Sequence, residues 1–139
     1  MTPAKAPIPF LGTWKQTKCE CSRPDLPHPT SALMTATQES DGIHMNSKGV
    51  WSDGREAQMS AVYQMDGKWY PVTGSLVADS VSLRIVDGSS AEAKLRKGGT
   101  DIGTQRITVS ADGRTLTARI DIAGPGGAPI NWTTTSERQ

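Results

Sequence analysis

The chain has 139 residues, of which 35% are hydrophobic and 21% are charged, enough for a single domain spanning residues 1–139. Its 15 Lys and Arg residues nearly balance 14 Asp and Glu residues, which argues against a nucleic-acid partner because such proteins need a strongly basic surface. No stretch is apolar enough to predict a membrane span. Residues 1–9 are predicted to be an N-terminal extension without the apolar segment of a signal peptide, which predicts a cytoplasmic protein, or a secreted one if the chain was trimmed.

Asp-Gly pairs divide the sequence into short segments. They occur at residues 41–42, 53–54, 66–67, 87–88 and 112–113. Asp tolerates positive φ and Gly favours it, so this pair is a strong hairpin signal. Between the turns apolar residues recur at every second position, as at Leu116, Ala118, Ile120 and Ile122, which indicates strands with one buried face. We predict ten strands, over residues 10–18, 31–40, 43–52, 55–65, 68–73, 75–78 with 80–86, 90–97, 101–110, 114–123 and 130–137.

Ten consecutive strands with one apolar face each must bury that face. Closing them into a barrel does so and removes the free edges, whereas a two-sheet sandwich usually needs long connections between its sheets. Most predicted connections are two to four residues long, which favours an all-β, antiparallel up-and-down barrel. The exception is the Pro-rich stretch 20–30, which we expect to form a loop at the barrel mouth.

The segment 10–16, with Gly12, Thr13 and Trp14 in succession, resembles the opening signature of the calycin superfamily, the lipocalins and fatty-acid-binding proteins. Stretches 66–74, 95–99 and 109–117 are also similar to small bacterial lipocalin-like proteins. The resemblance implies that Trp14 closes the barrel bottom and that its indole meets an Arg from a late strand, for which Arg119 is the candidate.

Two departures from those families bear on the ligand. The Pro-rich loop is incompatible with the helical lid of fatty-acid-binding proteins, and the last strand lacks their Arg-x-Tyr pair, so a fatty acid is not the expected ligand. Haem-binding relatives would present an inward His, but the alternation places His44 on the outer face, opposite Ile43 and Met45. We therefore expect no haem.

Methionines dominate the predicted inner faces. Met is soft and adaptable and often lines promiscuous apolar pockets, although any single Met is more often ordinary core. The inward set, with few aromatic residues to fill the barrel, predicts an internal pocket. Its candidate apolar residues, including two tryptophans that could stack on a ligand or plug the barrel ends, are Met34, Met45, Trp51, Met59, Leu83 and Trp132.

Two polar side chains complete the candidate ligand-binding set. Tyr63 falls on an inner face, where a buried phenol needs either a core hydrogen bond or a ligand. Arg106 is ambiguous, because Gly103 could mark a bulge that turns it inward as an anion or carbonyl clamp, whereas unbroken alternation leaves it in solvent.

The sequence contains no phosphate loop, dinucleotide fingerprint or hydrolase motif. With only two His residues a His-rich metal centre is excluded, and Cys19 and Cys21 are interpreted as free thiols rather than a weak metal site. We therefore predict binding of a small, mostly apolar molecule, without cofactor or metal. The alternatives are a cofactor-independent isomerase, cyclase or hydrolase using the same pocket, and a filled barrel that acts as an interaction module. A homodimer is compatible with the pattern.

Overall fold

The computed structural model describes residues 8–123, 127 and 129–139 and contains ten antiparallel strands. They are β1 (Gly12–Cys21), β2 (Pro29–Glu39), β3 (Gly42–Trp51), β4 (Glu56–Tyr63), β5 (Asp66–Thr73), β6 (Ser80–Asp87), β7 (Ser90–Lys97), β8 (Thr100–Val109), β9 (Thr115–Ala123) and β10 (Pro129–Arg138). Each strand pairs with its neighbours in sequence, and β1 pairs with β10, so the sheet closes into an up-and-down barrel. The predicted fold is confirmed. Among the described residues, no helix is long and apolar enough to cross a membrane.

The predicted bounds differ from the observed ones mainly at two loops. Residues 75–78, predicted as part of a strand, form an irregular loop between β5 and β6. The Pro-rich connection is shorter than predicted, because β1 continues to Cys21 and β2 begins at Pro29. Backbone bonds from Ser22 N to Asn131 O (2.9 Å) and from Ser52 N to His28 O (2.8 Å) extend the pairing into this loop.

Inward and outward residues alternate along each strand and place the core inside the barrel. Ala91, Ala93 and Leu95 of β7 are almost fully buried, whereas the intervening Lys94 is exposed. The largest fully buried side chains are Phe10, Trp14 and Ile43, which gather at one end of the barrel. This end is closed by side-chain packing.

Trp14 is held at the closed end by a hydrogen bond and a cation–π contact. Its indole Nε1 donates to Phe10 O at 2.9 Å, and the Arg138 guanidinium carbon lies 4.3 Å from the centroid of its ring. Arg138 also donates to Leu11 O and to Gly113 O, both at 2.7 Å. The late-strand Arg that meets Trp14 is therefore Arg138 of β10.

The expectation that Arg119 meets Trp14 is wrong. In β9 Ala118 is buried, so the next residue, Arg119, points outward, where it forms an ion pair with Asp121 at 3.1 Å. The resemblance predicted an Arg from a late strand correctly, but strand parity excludes Arg119 from the barrel bottom.

The ten seams of the barrel, each the line of pairing between two neighbouring strands, are not equally long. β2 and β3 are paired almost over their full length, whereas β4 and β5 share only two paired positions, Ser60 with Thr73 and Ala61 with Val72. Next to this short seam, a Cβ on Gly74 would collide with the Gln58 carbonyl oxygen. Glycine is required there for the two strands to approach at all.

Replacing Arg138 and Arg119 one at a time tests the assignment at the closed end. We expect Arg138→Ala to lower the free energy of unfolding by about 1–2 kcal/mol, because two backbone carbonyls and the Trp14 face lose their cationic donor. Arg119→Ala, which removes only an exposed ion pair, should leave the unfolding midpoint unchanged. Urea denaturation of both variants measures this, and equal effects would contradict the assignment.

Candidate functional site

A cavity of about 240 Å³ lies inside the barrel. It extends from Phe10 near the closed end to the opposite end, where β1, β3 and β9 terminate. Seven of the eight residues predicted from the sequence line it: Met34, Met45, Trp51, Met59, Tyr63, Leu83 and Trp132. They come together because strand alternation places all of them on inner faces.

Arg106 is not part of this cavity, and its candidacy as an internal clamp is wrong. The pairing of β7 with β8 does contain an irregularity, which falls on β8 between Asp101 and Gly103. The residues after Gly103 keep a regular register, so the irregularity does not change the direction of Arg106. Gln105 therefore faces inward and Arg106 outward, where its Nη1 donates to Glu92 at 3.1 Å. Sequence parity already favoured this outcome.

Arg106 belongs instead to a shallow cleft on the outside of the barrel, over β6 to β9. The cleft measures about 370 Å³ and is lined by charged groups that pair with one another. Arg84 and Arg106 share Glu92, at 3.4 Å and 3.1 Å. Because the charged groups of this cleft already pair with one another, the apolar inner cavity is the better candidate for a ligand site.

The loop between β5 and β6 covers part of the open end. Ser75 Oγ accepts hydrogen bonds from the backbone N–H groups of Val77 (3.1 Å) and Ala78 (3.2 Å), which fixes a tight turn. The turn directs Leu76, Val77 and Ala78 to the cavity lining. The sequence prediction missed this loop, because an apolar triplet next to Ser-rich segments resembles a short strand.

Two tryptophans stand at the open end. The rings of Trp51 and Trp132 meet edge to face, with 5.7 Å between centroids and an interplanar angle of 82°. Trp132 is only 2% exposed, and its indole Nε1 is buried without a hydrogen-bond partner among the described residues. A buried donor left unpaired costs about 1–3 kcal/mol, so this nitrogen is a polar group in need of an acceptor.

Tyr63 is the ionisable side chain of the described lining. It is 4% exposed, and its burial raises the pKa of the phenol well above its ordinary value. The hydroxyl is therefore a neutral donor and acceptor throughout the physiological range. Desolvation disfavours the phenolate, which makes Tyr63 a hydrogen-bonding group here and not a base.

Amide and hydroxyl groups supply the remaining polarity. Gln16, Gln105 and Thr134 line the cavity, and Gln16 Nε2 donates to Pro29 O at 3.2 Å. None of the three was predicted. Strand parity could have found Gln105, which lies two residues from the buried Ile107, and Gln16, which follows Trp14 by the same interval.

The two thiols lie beside the open end. Cys19 and Cys21 pair with Thr134 and Trp132 of β10, so they share the inner face of the sheet, but both are half-exposed and free. Burial, with a smaller effect of Cys21, raises the pKa of Cys19 to about 11. The Cys19 thiol therefore stays protonated at neutral pH, as expected of an unreactive cysteine. The described residues contain no cluster of three or more potential metal ligands.

His44 lies on the outer face, as the alternation predicts. Its Nε2 is 2.6 Å from Asp41 Oδ1, and this hydrogen bond lowers the pKa of the Asp41 carboxyl. Because His44 faces Val62 on the neighbouring strand and not the interior, it has no access to the cavity.

Comparison of the sequence with protein-family models and with curated proteins finds no match. Solved structures are similar in fold. Zebrafish ileal bile acid-binding protein, solved with cholic acid, aligns with a TM-score of 0.55 and 12% identity over 95% of this chain and 100% of its own. Bovine odorant-binding protein, solved with a selenium-containing odorant, aligns over 100% of this chain and 78% of its own, with 12% identity and a TM-score of 0.45. The bile-acid-binding structure supports the fold alone, a closed antiparallel up-and-down barrel.

The ionisation of Tyr63 provides a test of the cavity in solution. The folded pKa lies above the unfolded value of about 10, so the free energy of unfolding should fall as the pH rises beyond about 10. Tyr63→Phe should remove that part of the slope. Phenolate absorbance of the folded wild type should show ionisation of Tyr70 alone. Two phenols titrating near pH 10 in the folded protein would contradict the buried position.

Proposed function

We propose that the protein binds a small, mostly apolar molecule inside the barrel. The observation that carries the proposal is the inner cavity, lined by Met34, Met45 and Met59 together with the Trp51–Trp132 pair. Burying the apolar surface of a ligand against these side chains supplies the affinity, and the few polar groups orient it.

Methionine suits such a lining for a physical reason. Its unbranched thioether side chain repacks around differently shaped ligands at low cost, and sulfur contacts with aromatic rings are favourable. The bile-acid-binding neighbour, which has the same type of barrel and was solved in complex with cholic acid, supports a ligand-binding role for this fold.

The polar groups of the lining favour binding over catalysis. General acid–base catalysis mostly uses imidazoles and carboxylates, and the described lining contributes amides, hydroxyls and an indole instead. Tyr63, the ionisable member, is held neutral by burial. These groups can orient a bound molecule through hydrogen bonds, which is the task of a binding protein.

Butylbenzene, a compact apolar probe, tests the proposal by heteronuclear NMR. We expect saturable, one-site shifts of the indole N–H signals of Trp51 and Trp132, because both rings line the cavity. The signal of Trp14, packed at the closed end, should move little. The four tryptophan signals can be assigned by single Trp→Phe variants.

A filled cavity provides the matched control. Ala57 lines the cavity and Gln58, its neighbour, is exposed on the outside. Ala57→Phe should weaken butylbenzene binding by at least about 10-fold because the added ring occupies the ligand volume. Gln58→Phe should leave affinity unchanged. Equal affinities in both variants, or no saturable shifts in the wild type, would refute the proposal.

A further inference from the structure

The described lining of the inner cavity carries no charged side chain. Its polar groups are the amides of Gln16 and Gln105, several hydroxyls, and the indole of Trp132. Residues 124–128, between β9 and β10 in the sequence, are Gly, Pro, Gly, Gly and Ala and contain no ionisable side chain. The arginines of the neighbouring strands, Arg84, Arg106 and Arg119, all lie on the outer surface in ion pairs.

An uncharged lining discriminates between ligands by charge. A carboxylate or phosphate entering this space would lose its hydration and find no cation within the described lining, and such burial is strongly unfavourable. A neutral carbonyl, ether or hydroxyl oxygen loses much less, and hydrogen bonds to nearby donors can replace the water that it gives up.

Trp132 contributes a donor that the described part of the chain leaves unused. Its Nε1–H is buried and has no acceptor among the described residues, whereas the equivalent atom of Trp14 donates to Phe10 O. The Trp132 ring lines the cavity beside Trp51, so a ligand seated at the open end lies against it. An acceptor oxygen on the ligand would complete the hydrogen bonding of this indole.

Cavity size limits the ligand further. The inner cavity has a volume of about 240 Å³. This lies below the range of about 300–1,000 Å³ typical of pockets for drug-sized ligands. Side chains such as Met59 can adjust to a slightly larger molecule without opening the barrel.

Building on the proposed function, we infer that the cavity selects compact, uncharged ligands carrying a hydrogen-bond acceptor, which pairs with the Trp132 indole, and rejects anionic ligands. The ligand class is thus a small neutral ketone, ester, ether or alcohol with an apolar body.

Three probes of nearly equal shape separate charge from apolar contact. Butylbenzene has the apolar body alone, 4-phenylbutan-2-one adds a neutral carbonyl, and 3-phenylpropanoate replaces the ketone methyl by a charged oxygen. Titrations at pH 7.4, followed by NMR and calorimetry, give an affinity for each. We expect the carboxylate to bind at least about 100-fold more weakly than the ketone, because its charge is buried without a partner.

The role of Trp132 is tested by a double comparison of variants and probes. Trp132→Phe removes the N–H and keeps an aromatic ring, so the ketone should lose about 10-fold in affinity while butylbenzene changes by less than about 3-fold. Trp51→Phe is the matched control and should affect both probes equally. In the wild type, the Trp132 indole proton should shift downfield with the ketone and not with butylbenzene.

The outcomes separate the inference from the function on which it rests. If none of the three probes binds, the proposed function is refuted and the inference with it. If butylbenzene and the carboxylate bind as tightly as the ketone, the barrel binds ligands but does not select against charge, and the inference alone is overturned. If Trp132→Phe weakens both neutral probes equally, the indole contributes packing and is not the polar anchor.

Discussion

Pairing of the first strand with the last is the constraint on which the rest of the structure depends. Residues 12–21 and 129–138 must pair although nearly the whole chain lies between them. The conformational entropy lost on closing such a loop grows only slowly with loop length, so this long-range pairing costs little more than a shorter one would. Once β1 and β10 pair, no strand edge remains free and the ten inner faces surround one volume. Arg138 stabilises the seam at its lower end, because it joins the end of β10 to the backbone before β1 and to the ring of Trp14.

Much of the fold could be predicted because it depends on local patterns. Asp-Gly turns and the alternation of apolar and polar residues can be read from short stretches of sequence. Together they indicate the number and order of the strands and which side chains face inward. Met45 and Met59 were placed correctly on the inner face for this reason. The pairing of β1 with β10 followed from the need to bury ten apolar faces and not from any local signal.

The errors came from features that alternation does not encode. Arg119 and Arg138 are both late arginines, and only the register of β10 against β1 brings Arg138 over Trp14. The 75–78 loop looks like a strand because its apolar residues cover the cavity from outside the sheet. The unpaired indole of Trp132 could not be foreseen either, since it depends on the orientation of a ring against Trp51.

The short seam between β4 and β5 has a kinetic consequence. Local opening of a protein is easiest where the fewest backbone hydrogen bonds must break, and these two strands share the fewest paired positions in the barrel. Val72 of β5 and two residues of the following loop, Leu76 and Val77, all form part of the cavity wall. Transient separation at this seam would uncover the side of the interior without disturbing the closed end. The residence time of a ligand would then depend on how often β4 and β5 separate, whereas its equilibrium affinity depends on the side chains that line the cavity.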